Sequence, residues 1–227
     1  MKTIITLLLV LMLAFALTQC TEHILNPNND WTAGDEWFDV RDGQSYNTVQ
    51  IGDQIWMAED LNYDSKGSLI YGLDTSNADI YGRLYLWETA QNVCPEGWHL
   101  PSDGEWLQLE QYIGVPTDEL IIEDLRGTNE GGLLKETGTE HWHSPNEGGL
   151  DSYGFCVLPG GLFDYLFVDF EYLGFYGLFW TTADSIWNDK VPLGCLRVFD
   201  YERGGIHRYY DRKSHCLSVR CVKDRTQ

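Results

Sequence analysis

The sequence predicts an α+β fold, and three observations lead to that prediction. Two strand-like runs flank a turn pair near residue 52, helix signals follow in the middle of the chain, and short β-rich segments fill the last third. The order is a hairpin, two helices, a long loop and several antiparallel strands. Strands and helices that are segregated along the chain in this way are typical of the α+β class.

The first element is a β-hairpin within residues 46–63, YNTVQIGDQIWMAEDLNY. β-Branched and aromatic residues form two runs, and the Gly52-Asp53 pair between them suits a two-residue turn. The segment 83–94, RLYLWETAQNVC, predicts a first helix, because its apolar residues recur at helical spacing. Those apolar residues are Leu84, Leu86, Trp87, Ala90 and Val93.

A second helix is predicted to start after Ser102. Ser102 and Glu105 have the S-x-x-E spacing of a capping box, which satisfies two free amides at a helix start. Asp103 and Glu105 also suit the positive end of the helix dipole, so we interpret them as helix-start residues and not as a catalytic pair. The apolar positions that follow at helical spacing are Trp106, Leu109 and Ile113.

The second half of the chain predicts a loop followed by strands. Residues 126–150 are rich in Gly and resemble a loop. The turn signal Arg203-Gly204-Gly205 separates two of the strand-like segments. The segments predicted as strands are YGFCVLPGG (153–161), GLFWTT (177–182), GCLRVFDYE (194–202), GIHRYYD (205–211) and CLSVRCVKD (216–224).

The chain is strongly acidic. Its 15 Lys and Arg residues against 35 Asp and Glu residues give a formal net charge of −20. Such a chain repels nucleic-acid phosphates and anionic lipid headgroups, so neither is expected as a partner. The charge favours solubility, and it is also compatible with a cationic partner or Ca²⁺.

The start of the chain predicts export. Residues 1–19 combine Lys2 with an apolar run that is short for a membrane span, as in a signal peptide. The LTQC sequence ending at Cys20 resembles the lipobox of bacterial lipoproteins, although Gln19 replaces the usual small residue. We therefore expect lipid on Cys20 and an outer-membrane surface lipoprotein. Cleavage after Ala16, giving a secreted protein, is the alternative.

Residues 20–45 are polar and rich in Asn, Asp and Gly, which predicts a tether whose end packs onto the domain through Trp31, Trp37 and Phe38. Six cysteines are present. If Cys20 carries lipid, five remain and one of them lacks an intramolecular partner. If it does not, fifteen connectivities are open. The pairing of these cysteines does not follow from spacing.

Five segments occur together in the order of a known family. They are VQIGDQIWMAEDLNYD (49–64), YGRLYLWETAQNVCPEGWHLPSDGEW (81–106), LLKETGTEHWHSPNEGG (133–149), YGFCVLPGG (153–161) and LSVRCVKD (217–224). Over residues 46–224 the chain resembles the Fibrobacter succinogenes major paralogous domain, an extracellular domain of bacterial surface proteins. The resemblance implies a C-type-lectin-like fold, also similar to formylglycine-generating enzymes. Two helices would pack on a twisted antiparallel sheet with long loops.

The resemblance also implies a disulfide between Cys94 and Cys221, whereas it brings no established activity. The chain departs from the family pattern at several positions. Asp60 stands where Asn is usual, and Cys156 and Cys216 replace a small and an aromatic residue. A second bond, between Cys195 and Cys216, is a weaker alternative to free thiols at these positions.

A ligand surface is predicted where the 126–150 loop meets the aromatic segment 162–180, because long loops on a rigid scaffold carry most binding residues. Exposed rings there would stack on sugars or anchor a protein. The alternative is that the rings fill a small core beneath the loop. The residues expected to bind are Trp142, Phe163, Tyr165, Phe167, Tyr172 and Tyr176, and Phe170 and Phe175 add to the same aromatic set.

No metal, cofactor or catalytic residue is predicted. Trp187-Asn188-Asp189 matches the calcium tripeptide of sugar-binding lectins, but its partner tripeptide is missing. His141 and His143 lack further zinc ligands. The sequence thus predicts a monomeric, non-catalytic extracellular module that binds a glycan or a protein. A structural or adhesion module without a small-molecule ligand is the alternative, and an enzyme of unknown reaction is the least favoured.

Overall fold

The computed structural model describes residues 34–225. The predicted signal peptide, Cys20 and the first part of the predicted tether lie outside the described residues. The strands are β1 (Glu36–Phe38), β2 (Ser45–Ile51), β3 (Gln54–Met57), β4 (Tyr85–Leu86), β5 (Trp98–His99), β6 (Asp124–Arg126), β7 (Leu162–Asp164), β8 (Asp169–Glu171), β9 (Tyr176–Trp187), β10 (Val191–Asp200), β11 (Ile206–Arg212), β12 (His215–Leu217) and β13 (Val222–Lys223).

The helices are short compared with the strands. They are α1 (Ser76–Tyr81), α2 (Trp87–Ala90) and α3 (Asp103–Ile113), with 3-10 turns at Tyr71–Leu73 and Gly131–Leu133. Three sheets run in the orders β1-β2-β3-β13-β5, β6-β11-β10-β9 and β4-β12-β7-β8. The paired strands are antiparallel throughout these sheets. The arrangement is α+β in general character.

Two predicted hairpins are confirmed. β2 and β3 pair on either side of Gly52-Asp53, with Ile51 opposite Gln54. Gly52 has φ +62°, a conformation that glycine adopts without steric cost. β10 and β11 pair across the Arg203-Gly204-Gly205 turn. The residues typical of tight turns therefore predicted both strand pairings correctly.

Helix α3 begins with the predicted capping box. The amide of Glu105 donates to Ser102 Oγ at 3.2 Å, and the amide of Ser102 donates to the Glu105 carboxylate at 2.8 Å. The helix ends at Gly114, whose φ of +112° lets the chain turn away. Trp106, Leu109 and Ile113 are buried, as their spacing predicted.

The predicted helix over 83–94 is wrong in its first half. Tyr85 and Leu86 form strand β4, which pairs with β12, and only Trp87–Ala90 is helical. Leu84 is buried in a small cluster with Phe163, whereas Tyr85 is buried in the main core. Adjacent residues that are buried on opposite sides require an extended chain, and this tertiary demand overrides the helical pattern. Of the two packed helices that were expected, α3 is present and the other is only the single turn α2.

Segment 153–161 was also predicted as a strand, and this is wrong. Apart from one bridge between Lys135 and Val157, the segment has no regular secondary structure, and its residue Phe155 is fully buried. The side chain of Arg220 supplies hydrogen bonds to this backbone that a neighbouring strand would otherwise supply. Its guanidinium donates to the carbonyls of Phe155 and Cys156 and to the Asp60 carboxylate, and it lies 4.6 Å from the ring centre of Phe155. The acid at position 60 therefore neutralises a buried arginine.

The core is aromatic and continues into the start of the described chain. Trp56 lies 5.0 Å from Trp106 between ring centres, within a cluster that also holds Phe155 and Phe179. At the edge strand β1, Trp37 packs edge-on against Trp98 at 5.6 Å. None of the helices among residues 34–225 has the length and apolar character that a membrane span requires.

A disulfide joins Cys94 and Cys221, as the family resemblance implied. Their Cα atoms lie 6.0 Å apart and 127 positions separate them in sequence. The bond links the segment before β5 to the segment before β13. A cross-link over so long a loop restricts the unfolded chain strongly, so its main effect is on stability.

We expect the Cys94→Ala/Cys221→Ala double variant to lose about 5 kcal/mol of unfolding free energy, as the chain-entropy model gives for a loop closed over 127 positions. Denaturant unfolding measures this loss. Cys156→Ala is the control, because it removes a free, half-buried thiol and closes no loop. An unfolding midpoint that neither the double variant nor a reducing agent shifts would contradict the prediction.

Candidate functional site

The aromatic segment predicted as a loop is a β-hairpin. Strands β7 and β8 pair from Leu162 opposite Glu171 to Asp164 opposite Asp169. The Asp164 carboxylate accepts from the amides of Leu166 at 2.6 Å and Phe167 at 3.4 Å, and this fixes the turn. We call residues 165–168 the hairpin tip.

The hairpin tip exposes four consecutive apolar side chains. Tyr165 is 43% exposed, Leu166 60%, Phe167 71% and Val168 73%. Tyr172, just after β8, is 47% exposed. Contiguous exposed apolar side chains are unusual on a protein surface unless they bind a partner, because contact between each apolar side chain and water is unfavourable in free energy.

The base of the hairpin is packed, which holds the tip in place. Phe163 and Phe170 lie 4.8 Å apart between ring centres, and Tyr71 packs on Phe170 at 5.1 Å. Leu84 and Cys216 complete this cluster. The alternative of a small core beneath the loop is therefore correct for the base of the hairpin, and the tip stands outside it.

The predicted binding residues divide into two groups. Trp142 is 2% exposed, and its indole donates to the carbonyl of Val157 at 3.1 Å. Phe163 is 8% exposed. Both side chains lie in the interior, so their assignment to a ligand surface is corrected. Tyr165, Phe167 and Tyr172 are exposed, and Tyr176 is half-buried beside Tyr172 at 5.4 Å.

Much of the 126–150 loop is structural. Lys135 is fully buried and donates to the carbonyls of Asp200 at 2.7 Å and Arg203 at 3.1 Å. Burial lowers the pKa of Lys135 to about 8. Gly132 lies so close to the backbone of Gly148 that a side chain would clash there. These contacts hold the loop against the β10–β11 turn, and they leave it little part in a ligand surface.

The histidines of this loop are engaged with neighbouring side chains. His141 Nδ1 lies 2.7 Å from the Glu136 carboxylate, and the ring of His143 stacks on Phe175 at 4.1 Å. Between residues 34 and 225 no three His, Cys, Asp or Glu side chains are grouped to hold a metal ion. The two imidazoles therefore pack in different local environments.

Trp187-Asn188-Asp189 lies at the tip of the β9–β10 hairpin. Asn188 and Asp189 have φ of +49° and +55°, as in the turn types that reverse a hairpin. Asn and Asp are tolerated in this left-handed region, which explains their presence without calcium. The calcium match of this tripeptide is thus explained by turn chemistry.

Cys156, Cys195 and Cys216 are free thiols in the described part of the chain, so no Cys195–Cys216 bond forms. Burial raises the pKa of Cys216 to about 12 and that of Cys156 to about 11. A thiol of this kind is a poor nucleophile at neutral pH. These cysteines thus show no sign of the activation that cysteine-based catalysis needs.

Asp103, at the start of α3, binds two arginines of the sheet. Its carboxylate accepts from Arg197 at 2.8 Å and from Arg208 at 2.8 and 2.9 Å. Partial burial opposes ionisation, but these arginines outweigh it and lower the pKa of Asp103 to about 2. This residue, interpreted from sequence only as a helix-start residue, therefore also locks the helix to β10 and β11.

One groove was not predicted from sequence. It measures about 440 Å³ and lies on the sheet of β9, β10 and β11. Its wall includes Trp187, Leu193, Tyr210 and Arg212. The available signal was the two-residue spacing of Tyr210 and Arg212, but the partner of that strand could not be known in advance.

The comparison with protein families gives one match. The sequence model of the Fibrobacter succinogenes major domain family matches residues 49–223. The chain belongs to this family. No curated protein and no solved structure gives a significant match. The family domain thus contains the disulfide, the hairpin tip and the groove, and the sequence resemblance to this family is confirmed.

We expect Asp103→Asn to lower the free energy of unfolding at pH 7 and to have little effect near pH 2. The native pKa of Asp103 is about 2, below the unfolded value of about 3.9. Its stabilisation is therefore present above pH 4 and is lost as the pH falls through 2. Urea unfolding at both pH values measures the difference.

Asp118→Asn is the matched control for this substitution, because Asp118 is an exposed carboxylate. Glu105, whose pKa is also lowered to about 2, titrates in the same range in every variant and cancels in the comparison. An equal loss in Asp103→Asn at pH 7 and pH 2 would show that the residue acts by packing and not by charge.

Proposed function

We propose that the protein is a non-catalytic extracellular binding module that docks a protein partner through the hairpin tip. The observation that supports this most directly is the run of four exposed apolar side chains on a packed base. Large apolar side chains at the centre of an interface supply most of its binding free energy. A rigid base also lowers the entropy lost on docking.

The charge around the tip indicates the partner's chemistry. Asp169 is exposed directly beside Val168, Glu171 is half-buried at the other end of β8, and the whole chain has a formal net charge of −20. A partner with an apolar pocket rimmed by Lys or Arg matches this pattern. An anionic membrane surface would be repelled.

For the finer architecture we propose a C-type-lectin-like fold. Support comes from the family membership and from the disulfide that links the segment before α3 to the segment before the last strand.

We also propose that the chain is exported and anchored in the outer membrane through lipid on Cys20. Support comes from the apolar segment ending in LTQC. Mass spectrometry of the protein from its own cells is expected to show an acylated N-terminal Cys20. A mature chain starting at Leu17 without acyl mass would contradict lipidation, and it would favour the secreted form.

We expect Phe167→Ser/Val168→Ser to abolish protein binding while the unfolding free energy changes by no more than about 0.5 kcal/mol, because both side chains are exposed. Binding is measured on an array of extracellular proteins and glycans. Authentic hits should weaken as salt rises above about 0.15 M, since screening reduces charge complementarity.

Tyr112→Ser is the matched control, because Tyr112 is an exposed aromatic residue on α3 outside the tip. Hits that survive in the Phe167→Ser/Val168→Ser variant, or that are lost equally in Tyr112→Ser, would contradict docking by the tip. A chain that binds nothing on the array would favour the alternative of a structural or adhesion module.

A further inference from the structure

We infer that the groove on β9, β10 and β11 is a second binding site and that it takes a neutral oligosaccharide. The groove is distinct from the hairpin tip, which belongs to a different sheet. Its volume of about 440 Å³ falls within the range of about 300–1,000 Å³ that small-molecule sites have.

Strand register places most of the side chains that line the groove on one face of the sheet. Trp187 lies opposite Val191, Leu193 opposite Arg212, and Arg197 opposite Arg208. Cross-strand neighbours and alternate residues along a strand share a face. This face is also the one that carries Arg197 to helix α3.

The groove exists because α3 stops short of it. Arg197 and Arg208 both reach Asp103 at the first turn of the helix. Further along the same face, Leu193 and Val191 are only half-buried and Trp187 is 60% exposed. Past the helix start, therefore, the sheet offers an apolar floor with no helix above it.

The polar rim carries both donors and acceptors. Tyr210 is half-buried, and its hydroxyl lies 3.4 Å from Arg208, whose guanidinium Asp103 holds at two points. Arg212 and Glu123 are exposed at the wall. A sugar presents hydroxyls that both donate and accept, together with C–H faces that pack on aromatic rings such as Trp187.

The balance of charge indicates a neutral sugar. Arg208 is compensated by Asp103, and Asp124 lies 3.0 Å from His207. Asp211 lies 3.0 Å from His215. A contact with an imidazole does not cancel the charge of a carboxylate, so the lining carries Glu123, Asp124 and Asp211 against Arg208 and Arg212. An anionic sugar would meet these carboxylates without a surplus of cations, so an uncharged ligand fits best.

The test is titration calorimetry of the purified protein with neutral gluco-, manno-, xylo- and chito-oligosaccharides, with oligogalacturonate as the anionic comparison. We expect at least one neutral series to bind with a Kd below about 10 mM. Trp187→Ala should weaken that binding at least tenfold, and Arg212→Ala should weaken it to a smaller extent.

Two further variants make the result specific. Tyr112→Ala removes an exposed ring elsewhere and should leave the Kd unchanged. Phe167→Ser/Val168→Ser should also leave it unchanged, which separates this site from docking by the tip. The thermal midpoint of Trp187→Ala checks folding, and Arg212→Ala provides a second test because its side chain is exposed.

The inference is overturned if no neutral saccharide binds or if only oligogalacturonate binds. It is also overturned if Trp187→Ala binds as tightly as the parent protein. β9 lies at the edge of its sheet, so an extended peptide could add to it by backbone pairing. Binding of such a peptide with no saccharide bound would assign this region to strand addition instead.

Discussion

Glu110 is the residue on which the arrangement of helix and sheet depends. It is fully buried on α3, and its carboxylate binds Arg197 of β10 at 2.5 Å and Arg126 of β6 at 2.7 Å. All three side chains are excluded from water. Three buried charges tolerate only a narrow set of positions, because any charge that loses its partner carries a large desolvation cost.

This constraint reaches the surface through Arg197. The same guanidinium that binds Glu110 also binds Asp103 two turns earlier, so α3 is held to the sheet at two points. Asp103 in turn holds Arg208 at the edge of the groove. The position of the rim donors is therefore set from within the core. A rigid rim of this kind loses little entropy when a ligand binds.

The hairpin tip depends on a different part of the molecule. Its base belongs to the sheet β4-β12-β7-β8 and to a small cluster around Phe163 and Leu84. No member of the Glu110 network lies in that cluster. Two surfaces with separate supports can therefore change independently, and a substitution at one need not disturb the other.

Local chemistry was readable from the sequence, whereas long-range geometry was not. The capping box at Ser102 and the Gly52-Asp53 turn depend on residues within three positions, so their patterns were sufficient. The disulfide required the family resemblance, because spacing does not fix pairing. Tyr85 was misassigned because its burial depends on β12, more than a hundred residues away.

The candidate site shows the same division. An aromatic run between 162 and 178 was evident, but exposure could not be read from it. Phe163 faces the packed base and Phe167, only four residues later, faces water. The groove was missed because it needs β9, β10 and β11 side by side and α3 to begin at Asp103, beside the groove and not over it. The amino-acid composition does not indicate where a helix lies relative to a sheet.

The nearness of the first and last strands affects how such a domain can be joined to other parts of a polypeptide. β1 and β13, the first and last strands, belong to the same five-stranded sheet and are separated by β2 and β3. Strands spaced about 4.8 Å apart put the two roughly 14 Å from each other. Entry and exit points this close allow a domain to be spliced into a longer polypeptide, or repeated in series, without stretching its neighbours. This geometry thus favours use of the whole domain as a module in different polypeptides.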